Sequence, residues 1–239
     1  MIMPDPTENE VTGNETTADE FKLKWDDTGE RLYETGVSRC VLYPTDDTGA
    51  YGNGVAWNGL TSVSESPSGA EETALWANNK KYLSLRSKEE YGATIEAYTY
   101  PDEWAECDGS AELATGMAGV MVGQQTRKTF GLCYRTELGN DALYEDYGYK
   151  LHIVYGAKAS PSQKSYSTIN DSPEAITFSY EITTVPIDMP NGLKPSACIT
   201  IDSTKVDSDK LLALEKILYG NGSTEAKLPL PAQIVSTLS

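Results

Sequence analysis

Four runs of this chain alternate apolar and polar residues at period two, and that pattern limits the fold more than any other feature. Phe130, Leu132 and Tyr134 alternate with Thr129, Gly131, Cys133 and Arg135; Tyr149, Leu151, Ile153 and Tyr155 alternate with Lys150 and His152. Ala93, Ile95 and Ala97 oppose Thr94, Glu96, Tyr98 and Tyr100, and Ile176, Phe178, Tyr180 and Ile182 oppose Thr177, Ser179, Glu181 and Thr183. Successive side chains of a strand point to opposite faces, so each run reads as a half-buried strand. Between the first two runs, Glu137 to Tyr147 holds Gly139, Asn140 and Asp141 and reads as a polar loop, and Gly156 reads as the end of the second strand.

The remaining elements follow in order. Arg31–Tyr43 and Val55–Val63 read as strands, as do Lys80–Arg86 and Pro195–Ile201. Glu71–Asn79 is a short helix or an excursion, since its Ala, Glu and Leu favour helix while Thr73, Asn78 and Asn79 weaken it. Pro101 opens a short helix through Asp102, Glu103, Trp104 and Ala105. Leu211, Leu214 and Leu218 recur at helical spacing behind a cap at Asp207 or Ser208, which predicts a helix over about 208–219. The organisation expected is an acidic arm over 1–20, a β domain over 21–220 and an extended tail over 221–239. The fold class is mainly antiparallel β with a flanking helix near the C-terminus.

Net charge is -17, which argues against affinity for nucleic-acid phosphates. Met1–Glu20 contains six acids and no Lys or Arg, a composition that cannot order itself alone. Cys40, Cys107, Cys133 and Cys198 are far apart, without zinc-ligand spacing; a reduced cytoplasmic protein is the simpler reading and a disulfide pair the alternative. No run has the length of a membrane-spanning helix, and Met1–Glu10 lacks the basic and apolar regions of a signal peptide.

Catalytic chemistry finds no constellation. His152 is the single histidine and reads as a half-exposed strand residue; Glu145 and Asp146 are adjacent, and so point apart in a strand. No phosphate-binding glycine motif occurs, and the Asn140–Asp146 loop lacks the alternating ligands of a calcium hand. No catalytic residue, cofactor or metal is expected. Basic residues stand out instead: Arg127 and Lys128 with Arg135, and the pair Lys80 and Lys81. These are candidate interface residues that would meet acids on a neighbouring copy.

Several runs, in order, resemble the major tail protein of long, non-contractile-tailed bacteriophages. They are Leu32–Val37, Trp57–Thr61, Gly92–Trp104, Gly123–Thr136 and Tyr149–Ala157, and the resemblance extends from about Leu23 to Gln233. It implies a β-sandwich tail-tube subunit that forms stacked hexameric rings, with strands of each copy joining a barrel around a lumen. It implies as partners further copies of the chain, a tape-measure protein and DNA passing through the lumen without specific binding, and tail terminator and distal tail proteins at the tube ends. No membrane is involved; the place is the virion tail, after synthesis in the bacterial host cytoplasm. On this reading Glu96 and Glu181 are possible lumen-wall residues, and 126–136 and 148–155 are candidates for the sheet that continues between copies. The alternative is a secreted β-sandwich binding module for carbohydrate or a cell surface, against which the missing signal peptide weighs. An enzyme using carboxylates alone is a second alternative.

Overall fold

The computed structural model describes residues 22–117, 119–169 and 171–239, so the acidic segment 1–20 lies outside the described residues. The elements run β1 (Tyr33–Pro44), β2 (Val55–Ala56), β3 (Leu60–Glu65), β4 (Ser68–Gly69), β5 (Glu72–Ala77), β6 (Lys80–Arg86), β7 (Glu89–Glu90) and β8 (Gly92–Ala97). Helix α1 (Trp104–Asp108) follows, then β9 (Ala111–Glu112), β10 (Met121–Val122), β11 (Phe130–Asn140), β12 (Tyr144–Ala159), β13 (Phe178–Thr184) and β14 (Cys198–Asp202). Helices α2 (Ser208–Tyr219) and α3 (Pro231–Leu238) close the chain.

The main sheet is antiparallel and eight-stranded, in the order β2-β1-β11-β12-β13-β8-β3, with β14 pairing β12 beside β13. It does not close into a barrel; its two halves fold over one another like a sandwich. The strands read from alternation are present, and the β-rich class with a C-terminal flanking helix is the observed one.

Three features depart from the expectation of half-buried strands joined by loops. First, β11, the Cys40–Tyr43 part of β1 and the Leu151–Ala157 part of β12 are buried on both faces. Cys40, Leu42, Phe130, Leu132, Tyr134 and Val154 enter one apolar cluster with Trp57, Ile95, Trp104 and Tyr180. Val41, Tyr43, Cys133, Leu151, Ile153 and Tyr155 enter a second cluster against Leu211, Leu214 and Leu218 of α2 and Ile234 of α3. Burying each such leucine is worth roughly 1.5–3 kcal/mol. Second, the expected loop 137–147 is mostly strand. Asn140 pairs with Tyr144, and the Asn140 side-chain oxygen accepts from Ala142 N–H at 3.1 Å, so a tight turn replaces it.

Third, Gly156 does not end β12. Phe130 pairs with Ala157 while Leu132 pairs with Val154, so β12 carries an extra residue there. Gly156 has φ +60°, the left-handed conformation of a glycine bulge. The bulge inverts the alternation: Leu151, Ile153 and Tyr155 face α2, whereas Ala157 and Ala159 face the other cluster. It also changes the partner strand, from β14 over Lys150–Val154 to β13 over Ala157–Ala159. Gly156 is thus the corner at which the chain passes from one layer to the other.

Further differences have local causes. The strand expected over Val55–Val63 breaks at Asn58-Gly59, where Gly59 has φ +74°, a turn dipeptide. Glu71–Asn79 is not helical: Glu72–Ala77 is β5, and Asn78 and Asn79 both have positive φ. They close a two-residue turn between Ala77 and Lys80, the hairpin geometry that asparagine tolerates. The tail is extended at Leu230, but Pro231–Leu238 is helix α3, with proline in its first turn, where a missing N–H costs nothing. Helix α2 starts as expected, the Asp207 carboxylate accepting from Asp209 and Lys210 N–H at 3.1 Å each.

Helix α1 closes one end of the inner cluster. Trp104 and Cys107 are fully buried, and the Trp104 ring lies 4.7 Å from Trp57, 5.1 Å from Phe130 and 4.9 Å from Tyr180. All four cysteines are free thiols; burial pushes Cys107 and Cys133 up to about 12 and Cys198 to about 11. No helix is long and apolar enough to cross a membrane among the described residues.

Candidate assembly surfaces

Residues 66–90 leave the main sheet altogether. β5 and β6 pair only with each other, and β4 with β7, forming a hairpin arm between the end of β3 and the start of β8. Five of its side chains are large and apolar, of the kind that normally fill a core. Trp76 is 69% exposed, Tyr82 72% and Leu85 56%, with Leu75 and Leu83 paired across the ladder and also exposed. An isolated two-stranded hairpin is marginal in water, and large apolar side chains exposed on it, with Leu75, Leu83 and Leu85 on one face and Trp76 on the other, mark a contact site. A second, smaller hairpin of β9 and β10 exposes Leu113, Met117, Val120 and Met121.

The candidate interface cations are dispersed. Lys80 and Lys81 stand at the arm tip, just after the Asn78-Asn79 turn; Lys81 pairs with Glu72 at 2.9 Å within the arm. Lys128 bonds Glu106 at 2.8 Å, and Asp47 lies 3.5 Å away. The Glu106 hydrogen bond, ahead of the opposing effect of burial, holds the Lys128 ammonium above its ordinary range. Arg135 bonds Glu137 at 2.8 Å and lies 3.8 Å over the Tyr149 ring. Arg127 is half-buried, packed against Gly109 at the end of α1, and its Nε has no hydrogen-bond partner among the described residues. Lys128, Arg135 and Lys81 therefore already spend part of their charge inside the chain, and the structure does not gather the five onto one patch.

Glu96 and Glu181 do share a surface. Register pairs Ser179 with Glu96 and Glu181 with Thr94, and on the other side Ser62 with Glu96 and Ser64 with Thr94. Cross-strand partners share a face, so Ser62, Ser64, Thr94, Glu96, Ser179 and Glu181 line the side of β3–β8–β13 opposite the core residues Ala93, Ile95 and Tyr180. Ser62 Oγ donates to Glu96 Oε2 at 3.0 Å. Glu181 is exposed and Glu96 half-buried.

The suggestion that 126–136 and 148–155 continue the sheet between copies needs correction. β11 is flanked by β1 and β12, and β12 by β11 on one edge and by β14 and β13 on the other. Their ladder groups are spent within the chain. Among the described residues, the open edges of the main sheet belong to β3, β2 and β14, the strands that end the sheet or pair on one side only.

His152 also differs from the expectation of a half-exposed strand residue. It is 8% exposed and stacks on Tyr134, ring centroids 4.6 Å apart at 4°. Nothing local signals this, because the groups that surround it come from β1, β3, β11 and β14. The apolar arm, by contrast, had a signal: two asparagines flanked by Trp, Leu and Tyr.

No family model matches the chain, and no curated protein matches it in sequence. Solved structures with partial likeness come from contractile injection machines. A chain of the sheath-tube complex of the extracellular contractile injection system PVC, in its extended state, matches with TM-score 0.33 and 14% identity, over 69% of this chain and 88% of that one. A chain of the baseplate of the anti-feeding prophage (AFP) matches with TM-score 0.35 and 8% identity, over 75% of this chain and 97% of that one. A chain of the PVC sheath/tube terminator, also in the extended state, matches with TM-score 0.33 and 13% identity, over 71% and 97%. At these scores the likeness carries no functional assignment.

Proposed function

We propose that this chain is a structural, non-enzymatic subunit of a phage tail tube of the non-contractile kind, assembling as stacked hexameric rings. One observation carries the reading: an arm bearing five exposed large apolar side chains leaves the main sheet, and none of the five joins an apolar cluster among the described residues. A second copy is the occupant that fits. The arm tip bears Lys80 and Lys81, and the chain carries -17 overall, so a neighbouring copy offers an acidic surface to a basic tip. The ordered sequence runs that resemble major tail proteins support the same reading. Ring closure by head-to-tail contact would also cover the open edges of β3, β2 and β14.

The polar side of β3–β8–β13 is the proposed lumen wall. Among the described residues paired across this face, its hydroxyls and carboxylates would offer DNA phosphates no cation beyond Lys158, which pairs with Thr183 at the edge. Tape-measure protein and DNA would pass without specific binding. Replacing Glu96 and Glu181 by Lys tests the wall. Tubes should still form, because both carboxylates stand off the core, and DNA ejection should slow as phosphates are retained. Ejection at an unchanged rate would move the wall elsewhere.

A further inference from the structure

Both roots of the arm converge on one polar cluster. Glu65 ends β3, immediately before the arm, and Tyr91 follows the arm immediately before β8. The Tyr134 hydroxyl of β11 donates to Glu65 Oε1 at 2.6 Å. With its proton so used, it accepts from the Tyr91 hydroxyl at 3.2 Å. The Tyr91 carbonyl in turn accepts from Thr184 Oγ1 at 2.7 Å. One tyrosine therefore ties together the two strands from which the arm springs.

His152 lies flat against that tyrosine, and its two nitrogens are in different situations. Thr136 Oγ1 donates to Glu34 Oε1 at 2.6 Å, so at 3.0 Å from Nε2 it can only accept, which places the neutral ring's proton on Nε2. Nδ1 then accepts a long hydrogen bond from Thr200 Oγ1 of β14 at 3.5 Å, with Glu65 Oε1 3.7 Å away. A lone pair and a carboxylate oxygen repel; a proton on Nδ1 would turn that repulsion into an attraction at ion-pair distance from the arm root. The other charged and titratable neighbours are Glu34 of β1, 3.8 Å from Nε2, Lys150 of β12, which is bonded to Glu34, and Cys198 of β14 beside Glu65. Burial is the largest influence on His152 and holds it below its ordinary range; Glu65 and Glu34 pull the other way, and Lys150 adds to the lowering.

We propose that Glu65, Tyr91, Tyr134 and His152 form a proton-responsive clamp that sets how rigidly the arm projects from the sheet. Its bearing on assembly rests on the arm being the element that docks on a neighbouring copy. At neutral pH the clamp consists of the Tyr91–Tyr134–Glu65 chain alone. On acidification Nδ1 gains a proton, Glu65 acquires a cation at ion-pair distance, and the arm root tightens. The global effect has the opposite sign. The folded-state value lies below the ordinary one, so the unfolded chain takes up the proton first, and His152 costs stability as pH falls from about 6.5 towards the folded value. A tighter arm on a less stable fold is a combination that plain acid loosening does not give.

The test uses the full chain, unassembled and dilute, with a fluorophore on Lys80→Cys at the arm tip and Cys198→Ala to leave only buried native thiols. Fluorescence anisotropy followed downward from pH 8 for as long as the chain stays folded should rise in one titration step. It should stay flat in His152→Gln and in Glu65→Gln, which retains an acceptor for Tyr134 but not the charge. Tyr134→Phe should lower it at every pH. A flat profile in the parent chain, a rise retained in His152→Gln or Glu65→Gln, or an unchanged Tyr134→Phe would each overturn the clamp. None of these outcomes depends on tube formation, which is judged separately by microscopy.

Discussion

Replacing Trp76 and Leu85 together by Ser is expected to abolish assembly while leaving the stability of the unassembled chain within about 0.5 kcal/mol of its parent, the range usual for exposed positions. The two side chains are 69% and 56% exposed, and within the chain they belong to neither apolar cluster. Removing them therefore opens no cavity in the fold. In a contact between copies the balance is different. Trp is a frequent energetic centre of interfaces, and truncating one in a desolvated pocket commonly costs about 2 kcal/mol or more. Each 1.4 kcal/mol or so is a tenfold change in affinity. Every subunit presents one arm, so the loss recurs at each joint along a tube. Sedimentation read together with thermal melting checks both halves. Unimpaired assembly would remove the arm from the interface, and a collapsed melting temperature would make the arm part of the fold's own stability.

Replacing Gly156 by Ala is expected to be the most destabilising change of a single methyl group in β12. Two costs add. A residue with a Cβ at φ +60° pays about 1–3 kcal/mol of backbone strain. The new Cβ would also lie 2.3 Å from the carbonyl oxygen of Val185, a backbone atom that cannot turn aside. That carbonyl sits where Val185 N–H donates to Gly156 O at 2.9 Å, so relieving the clash breaks the corner itself. Chemical denaturation should show a loss of at least about 3 kcal/mol, a large share of the stability of an ordinary domain. Ala at Gly192, where φ is also positive and a Cβ would meet nothing, isolates the strain from the clash and should cost much less.

Gly156 also shows how far the sequence can be read. Alternation located β8, β11, β12 and β13, because a period-two pattern is local and survives any arrangement of the strands. The same glycine was read as a terminus, because a bulge and a strand end look alike until the partner strands are known. β11 reads as half-buried because its second face holds residues such as Gly131 and Cys133 that do not announce a helix packing on it, and β12 because Lys150 and His152 mask the face that joins the inner cluster through Val154. Helix α2 was legible from leucine spacing and its Asp207 cap, whereas the short α3 offered only Ile234 and Leu238 behind Pro229 and Pro231. The arm was partly legible, since Asn78 and Asn79 are left-handed turn residues, but helix-favouring Ala and Leu competed with that signal. The His152 clamp was not legible at all. Glu65, Tyr91 and Tyr134 are brought to it by long-range pairing, which no local window contains.

The central claim is that this chain builds a tube, with its arm reaching to a neighbouring copy. Electron microscopy of the purified protein at high concentration, with added tail tips as seeds, tests that most directly. The account predicts rings and tubes with six-fold symmetry, density for residues 66–90 crossing between copies, and the Glu96 and Glu181 side of β3–β8–β13 facing the lumen. A chain that stays monomeric under those conditions, with the arm free in solution, would contradict it.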